Sequence, residues 1–289
     1  MIETTITITS VSDFAKLLAE IPLSPGCTRF FRGHSDYKKY KLEPSVFRKP
    51  SLIENEELLI QEAKIRCPLE LPSSLSLIEV LVRLQHYGLP TRLLDLTTNS
   101  LVALYFACRH KEKTEGEVLV LDIPNDHIKF YDSDTVSILS NISRRPKEFD
   151  VTDLPSEKHE FNLDPDVGKL LHDIKSDRPA FINIIEPSDL RRVVAVRTRL
   201  DNARIARQEG AFLLFGADGS KLNPAKVPDD WLVCGTAAKR IIFSNKHTLK
   251  RELLSFGVSE QSLFPELESQ AAAIVERYRN KYARRNKVS

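Results

Sequence analysis

The sequence predicts a mixed, largely antiparallel α+β domain, and three observations carry that reading. Apolar β runs such as EVLVLDI (117–123), GAFLLF (210–215) and RIIFS (240–244) lie among segments of helical periodicity. The two kinds of segment do not alternate in the regular order of a doubly wound sheet. The 289 residues are 42% hydrophobic, enough to bury a sizeable core without covalent staples.

In chain order, Ile2, Thr4, Ile6 and Ile8 share one side of an alternating segment, which predicts an opening strand. Ser10 can cap a short helix with Asp13 in its first turn and Phe14, Leu17 and Leu18 on its apolar face. The run from Pro22 to Gly26 breaks it. Cys27 to Arg32 reads as a strand that stops at Gly33. Glu56 to Arg66 reads as a helix, as does Ser76 to Tyr87, whose stripe of Leu77, Val80, Leu81 and Leu84 ends at Gly88 and Pro90. Thr91 to Leu96 predicts a strand. Thr98 or Asn99 can cap a helix from Ser100 to His110, and Glu117 to Ile123 predicts a strand closed by Pro124. Asn125 to Arg178 is polar and punctuated, and reads as loops and short helices of a mobile insertion. Later come a short strand at Phe181–Ile185, a helix at Leu200–Arg207, strands at 210–215 and 240–244, and a helix at Thr248–Phe256. Pro265 then opens a last helix from Glu266 to about Arg279.

Composition excludes several classes. Lys and Arg number 42 against 40 Asp and Glu, so the chain is no polyelectrolyte. No apolar run approaches the roughly 20 residues of a membrane span, so no membrane partner is expected. MIETTITITS lacks a basic region followed by an apolar stretch, so no secretory leader is expected and a reducing cytoplasm is the expected compartment. Cys27, Cys67, Cys108 and Cys234 are too scattered for a disulfide framework or a structural zinc site, and no metal is expected. Neither GxGxxG nor GxxxxGK[ST] occurs. From Ala271 onward, six cations including Arg284 and Arg285 face one carboxylate, Glu276. They suit a helix C-terminus or, with Tyr278 and Tyr282, a nucleic-acid-tracking tail.

Three segments concentrate chemistry. In Phe31-Arg32-Gly33-His34, an Arg ends an apolar strand beside a Gly that permits close backbone or ligand approach. Its planar fork suits a phosphate or carboxylate, or an ion pair that pins a turn. The second segment places Gln85, His86, Tyr87, Thr91, Arg92, Asp95, Thr97 and Asn99 around a helix–turn–strand–turn. Polar groups framed so closely by hydrophobes must satisfy one another or a ligand. In the third, Gln208 and Glu209 stand at the mouth of the Gly210 strand, a rigid site position or a plain helix-to-strand turn. A hydrolase built on His86 lacks a nucleophile–base pair or metal-ligand spacing.

These words in this order resemble the FRG-domain family. The likeness lies in Phe31-Arg32-Gly33, Gln85-His86-Tyr87-Gly88, Thr91-Arg92-Leu93-Leu94-Asp95, Ala103-Leu104-Tyr105-Phe106-Ala107, Arg207-Gln208-Glu209-Gly210 and Ser262-Leu263-Phe264-Pro265-Glu266-Leu267. Leu96 stands where such proteins often carry Trp. A more distant resemblance is to ADP-ribosyltransferases. They share a split, mixed sheet, an early strand ending in Arg or His, a Ser/Thr strand before an Ala-x-x-Phe-Ala helix, and a Glu or Gln-x-Glu opening a late strand. That resemblance implies one domain over 1–289, with an FRG core at about 27–110, a polar insertion at about 125–180 and a C-terminal helical segment at about 246–289. It implies NAD as substrate and Arg32, Asp95, Gln208 and Glu209 as catalytic residues. Gly33, His34, His86, Tyr87, Thr91, Thr97 and Tyr105 would join Arg32 in binding NAD. The implied acceptor is a nucleic acid or protein, with an antitoxin or chaperone as partner, in a toxin or antiviral setting. The alternative is a non-catalytic nucleic-acid-binding module.

Overall fold

The computed structural model describes residues 5–182, 184–199, 202–233 and 240–285, with the backbone alone at 276, 277 and 280–285. The first part of the chain forms β1 (Thr5–Thr7), α1 (Val11–Glu20), β2 (Cys27–His34), α2 (Pro50–Ile53), α3 (Glu56–Arg66), α4 (Leu77–His86), β3 (Leu93–Thr97), α5 (Ser100–Arg109) and β4 (Gly116–Pro124). There follow β5 (Ile128–Phe130), α6 (Asp134–Asn141), α7 (Lys158–Asn162), α8 (Pro165–Asp177), β6 (Val193–Arg197), α9 (Ala203–Arg207) and β7 (Gly210–Phe215). The last are β8 (Ala217–Asp218), β9 (Ser220–Pro224), β10 (Arg240–Phe243), α10 (Lys246–Ser255), α11 (Glu260–Leu263) and α12 (Leu267–Arg285).

The caps read from the sequence set the helix ends. Ser10 accepts from Asp13 N and starts α1, and Asn99 accepts from Leu101 N and Val102 N and starts α5. Gly88, at φ +86°, turns the chain out of α4.

Eight strands form one mixed sheet in the order β1-β10-β4-β2-β3-β7-β6-β5. The two end pairs, β1–β10 and β5–β6, are parallel, and the inner pairs are antiparallel. At its centre the sheet is nearly cut in two, because β2 and β3 pair only at Phe31 and Thr97. One face is covered in two blocks. Helices α1, α5 and α10 pack on Phe31, Val118 and Val120, while α4, α6 and α8 pack on Val194, Phe212 and Leu214. The other face, with Phe30, Leu94, Leu121 and Leu213, is closed by Trp231 and Ala225. Among the described residues, no helix is long and apolar enough to cross a membrane.

Several expectations are corrected. Strand β2 does not stop at Gly33 but runs through it to His34. The glycine is needed for packing there: a Cβ on it would lie 2.0 Å from Ala103 O and 2.7 Å from Ala107 N of α5. Gly33→Ala is therefore expected to cost about 1–3 kcal/mol by forcing helix and strand apart. A urea midpoint equal to the parent's would contradict this packing. No strand forms at 181–182 or 184–185, where the Asn162 side chain both donates to Ile185 O and accepts from Ile185 N, replacing a strand neighbour. The stretch from 125 to 178 is no loose insertion, since Val136, Ile142, Phe161, Leu170 and Ile174 are core residues. Strand β6 and the β8–β9 pair were not anticipated. The opening strand is described only from Thr5, and the predicted helix at 200–207 begins at Ala203, with Leu200 and Asp201 outside the described residues.

Candidate functional site

Beyond the single Phe31–Thr97 pair the two strands diverge, leaving a gap in the middle of the sheet. Arg32 lies in that gap. It donates through Nη1 to Asp95 O, so a guanidinium takes the place of a missing strand bond. Its Nε donates to His34 Nε2 at 3.0 Å. Because arginine only donates, His34 Nε2 must be the accepting nitrogen, and Nδ1–H then donates to Glu117 Oε1 at 2.8 Å. Glu117 and His34 are both buried. A carboxylate, a neutral imidazole and a guanidinium thus form a chain that fixes the fork of Arg32. Desolvation lowers the Arg32 pKa to about 10, with Asp95 opposing the shift, and the group stays charged at neutral pH.

Burial also holds the His34 imidazole below its ordinary 6.5, against the pull of Glu117. A histidine lowered in the folded state contributes stability that is complete above pH 6.5 and is lost as pH falls through the folded value. Protonation would also remove the acceptor that holds Arg32. Thermal stability is expected to fall on acidification below pH 6.5, and His34→Gln to flatten that fall. Parallel curves for the two proteins would contradict it.

Around the gap lies a cleft of about 290 Å³. Its walls come from β2 (Arg32 to His34), the following loop (Tyr40, Arg48), α4 (Gln85, His86), β3 (Asp95, Thr97), α5 (Ala103, Phe106), and α9 with its C-cap (Arg204, Gln208). Arg32, Asp95 and Gln208, far apart in sequence, therefore meet in one site. So do Gly33, His34, His86 and Thr97. Among the described residues lining the cleft, Asp95 is the one carboxylate, and Arg32, Arg48 and Arg204 bring three guanidiniums, of which Arg204 also lies 3.9 Å from the non-lining Glu266. Gln85 Nε2 donates to Asp95 Oδ2 at 3.0 Å and is itself held by Thr91 Oγ1 at 2.9 Å.

The segment between α11 and α12 packs against several of the lining residues. Gln208 Nε2 donates to Leu263 O at 3.1 Å, which commits its amide nitrogen and leaves Oε1 as the acceptor for a ligand. Phe264 packs edge-on against Phe106, with Arg109 and Arg204 over its ring at 4.0 and 4.6 Å. His86 Nε2 stands 3.2 Å from Glu266 Oε1. Asn202 caps α9 with its oxygen, which turns its Nδ2 toward His86 Nδ1 at 3.4 Å. Burial first, then Arg204, lowers the His86 pKa, against the pull of Glu266.

Four expected residues do not line the cleft. Glu209 points away, accepting from Asn99 Nδ2 and Thr98 Oγ1, and its φ of +46° belongs to the tight turn into β7. Tyr87 is 71% exposed beside a neighbouring cavity. Thr91 is buried and acts through Gln85. The Tyr105 hydroxyl donates to Glu260, and the ring-packing position falls to Phe106, one residue on along α5. The side chains of Arg284 and Arg285 lie outside the described residues. Tyr40, Arg48 and Glu117 were missed. Tyr40 closes a turn and Arg48 ends a single 3-10 turn (Ser45–Arg48), neither with a periodic signal, and Glu117 is hidden in an apolar strand. Among the described residues, no group of three His, Cys, Asp or Glu could hold a metal.

Set beside known families, residues 28–116 match the FRG domain. The chain carries an FRG domain. The comparisons with curated proteins and with solved structures each found no match. The FRG segment supplies β2, α4, β3 and α5, and so both sides of the gap and most of the cleft floor. Gln208 and Arg204 come from outside the matched residues and complete it, with Phe264 packed against Phe106 and Arg204.

Proposed function

We propose that this FRG-domain protein is an NAD-dependent mono-ADP-ribosyltransferase, a toxin or anti-phage effector modifying nucleic acid or protein. The observation that carries the reading is the convergence of Arg32, Asp95 and Gln208 in one cleft lined by three guanidiniums and one carboxylate, with Arg204 alone of the three also near Glu266. Such a charge balance suits a pyrophosphate beside a centre where positive charge develops. In this reading Arg32 grips the pyrophosphate. Phe106 packs against the nicotinamide. Gln208 Oε1 accepts from a ribose hydroxyl. The bond from ribose C1′ to nicotinamide breaks, its electron pair leaving with nicotinamide. A lone pair of the acceptor forms the new bond to C1′, and the acceptor proton passes to Asp95. The bond breaks through an oxocarbenium-like state, which the nearby Asp95 carboxylate stabilises more than it does the ground state. Purified protein given NAD labelled in the adenylate part is expected to label a component of cell lysate, and Arg32→Ala to abolish the label. Failure to bind NAD or to label RNA, DNA or protein would rule the reading out.

A second reading is a non-catalytic nucleic-acid-binding module in bacterial defence or regulation. It draws on one feature: the late strand opens on the neutral Gln208, while Glu209 faces away. It predicts salt-dependent nucleic-acid binding without release of nicotinamide.

A further inference from the structure

At His86 the cleft borders a second hollow. This second hollow, of about 250 Å³, shares Val82, His86 and Ile205 with the cleft. A third, wide depression shares Leu75, Ile78, Glu79, Tyr131 and Arg199 with the second. Ile78, Glu79, Val82, Gln85 and His86 recur at helical spacing on one face of α4. The three hollows therefore follow one another along that helix as a trough interrupted by the shared side chains, about 15 Å at 1.5 Å per residue. Gln85 and His86 stand at the Asp95 end.

The chemistry changes along the trough. Its middle offers Tyr87 and Tyr131 beside Glu70 and Glu79, with the Arg199 guanidinium 5.8 Å over the Tyr131 ring and 3.7 Å from Glu79. Its far end holds Lys64 and Arg144, half-buried, together with Arg178, Asp132 and Asp177; after burial, Arg144 depresses the Lys64 ammonium more than Asp177 raises it. Arg144 Nη1 is held by Asn141 Oδ1, Asp173 O and Ser176 Oγ, none of them a carboxylate oxygen. Neither cation forms an ion pair within 4.0 Å among the described residues. Because the repulsion from Arg144 outweighs the pull of Asp177, the pair favours a further anion. Aromatic rings in mid-trough and cations beyond them are what stacked bases and a phosphate backbone require.

We propose that a single-stranded nucleic acid lies along α4, with phosphate on Lys64 and Arg144, bases against Tyr131 and Tyr87, and the modified nucleotide at Asp95. Modification of that nucleotide rests on the transferase reading; the binding does not.

The test uses the full chain and fluorescein-labelled single-stranded RNA and DNA 20-mers, followed by anisotropy from 50 to 300 mM salt. Lys64→Ala with Arg144→Ala is expected to weaken binding at least tenfold. It should also shrink the salt slope by about 1.4, at about 0.7 per lost phosphate contact. Tyr131→Leu is expected to weaken binding about tenfold with the slope unchanged. Both variants should bind NAD like the parent. Three results would each overturn the inference: no oligonucleotide binding, equal binding of a duplex of the same sequence, or binding lost with Arg284 and Arg285 but indifferent to Lys64 and Arg144. NAD binding without oligonucleotide binding sinks this inference alone. Oligonucleotide binding of the expected pattern without NAD binding sinks the transferase reading alone.

Discussion

Glu56→Ala is expected to destabilise the protein by about 3–5 kcal/mol, a large part of a typical domain's total of about 5–15. Glu56, Arg92 and Lys221 are all fully buried. The carboxylate takes Arg92 Nε at 2.9 Å and Nη2 at 2.5 Å, with Lys221 Nζ 3.6 Å away. Lys221 also donates to Ser143 O and Arg145 O, and Arg92 Nη1 to Phe215 O. Removing the one carboxylate leaves two cations in the interior facing each other. The triad ties α3 to the start of β3, so its loss should also loosen Asp95. The cause is uncompensated charge rather than lost shape, so Glu56→Leu, Arg92→Met and Lys221→Met together are expected to recover most of the stability. Urea midpoints check both. A Glu56→Ala loss under about 1 kcal/mol would show that the triad is not what holds β3.

Arg32→Ala is expected to weaken NAD binding about a hundredfold, from roughly 3 kcal/mol of charge-assisted hydrogen bonding. The structure explains why lysine should not rescue it. Nε and Nη1 already hold His34 and Asp95 O, and the remaining fork hydrogens face the cleft in a fixed plane. A lysine offers a single point charge that cannot make those bonds and grip a phosphate together, so Arg32→Lys should lose at least tenfold. Calorimetric titration reads both values, with circular dichroism confirming the fold. A dissociation constant within threefold of the parent's would remove Arg32 from the site.

Much of this arrangement could be read from the chain, for identifiable reasons. Caps such as Ser10 and Asn99 are local, and they start α1 and α5 where expected. The apolar runs became β4, β7 and β10 because packing on both faces rewards continuous hydrophobicity. The stretch from 125 to 178 misled because its buried residues, Val136 and Ile174 among them, are spaced among many polar ones. Gly33 read as a stop because its reason lies in α5, about seventy residues on. In the cleft, Arg32, Asp95 and Gln208 were legible as polar groups placed against apolar strands. The roles of Glu117 and Phe264 were not, since each depends on a contact that no local pattern encodes. Glu209 and Tyr105 show the limit at single-residue scale: a turn and one helical step of about 100° take neighbouring positions out of the site.

The most direct measurement of the central claim is the release of free nicotinamide from NAD by the full chain, followed by chromatography with and without single-stranded RNA or DNA. Nicotinamide leaves whichever molecule accepts the ADP-ribose, so the readout does not depend on the acceptor's identity. The account predicts release that rises with acceptor, matches the ADP-ribose transferred, and disappears in Arg32→Ala and Asp95→Asn. A folded protein that binds NAD no better than Arg32→Ala and releases no nicotinamide under any of these conditions would contradict it.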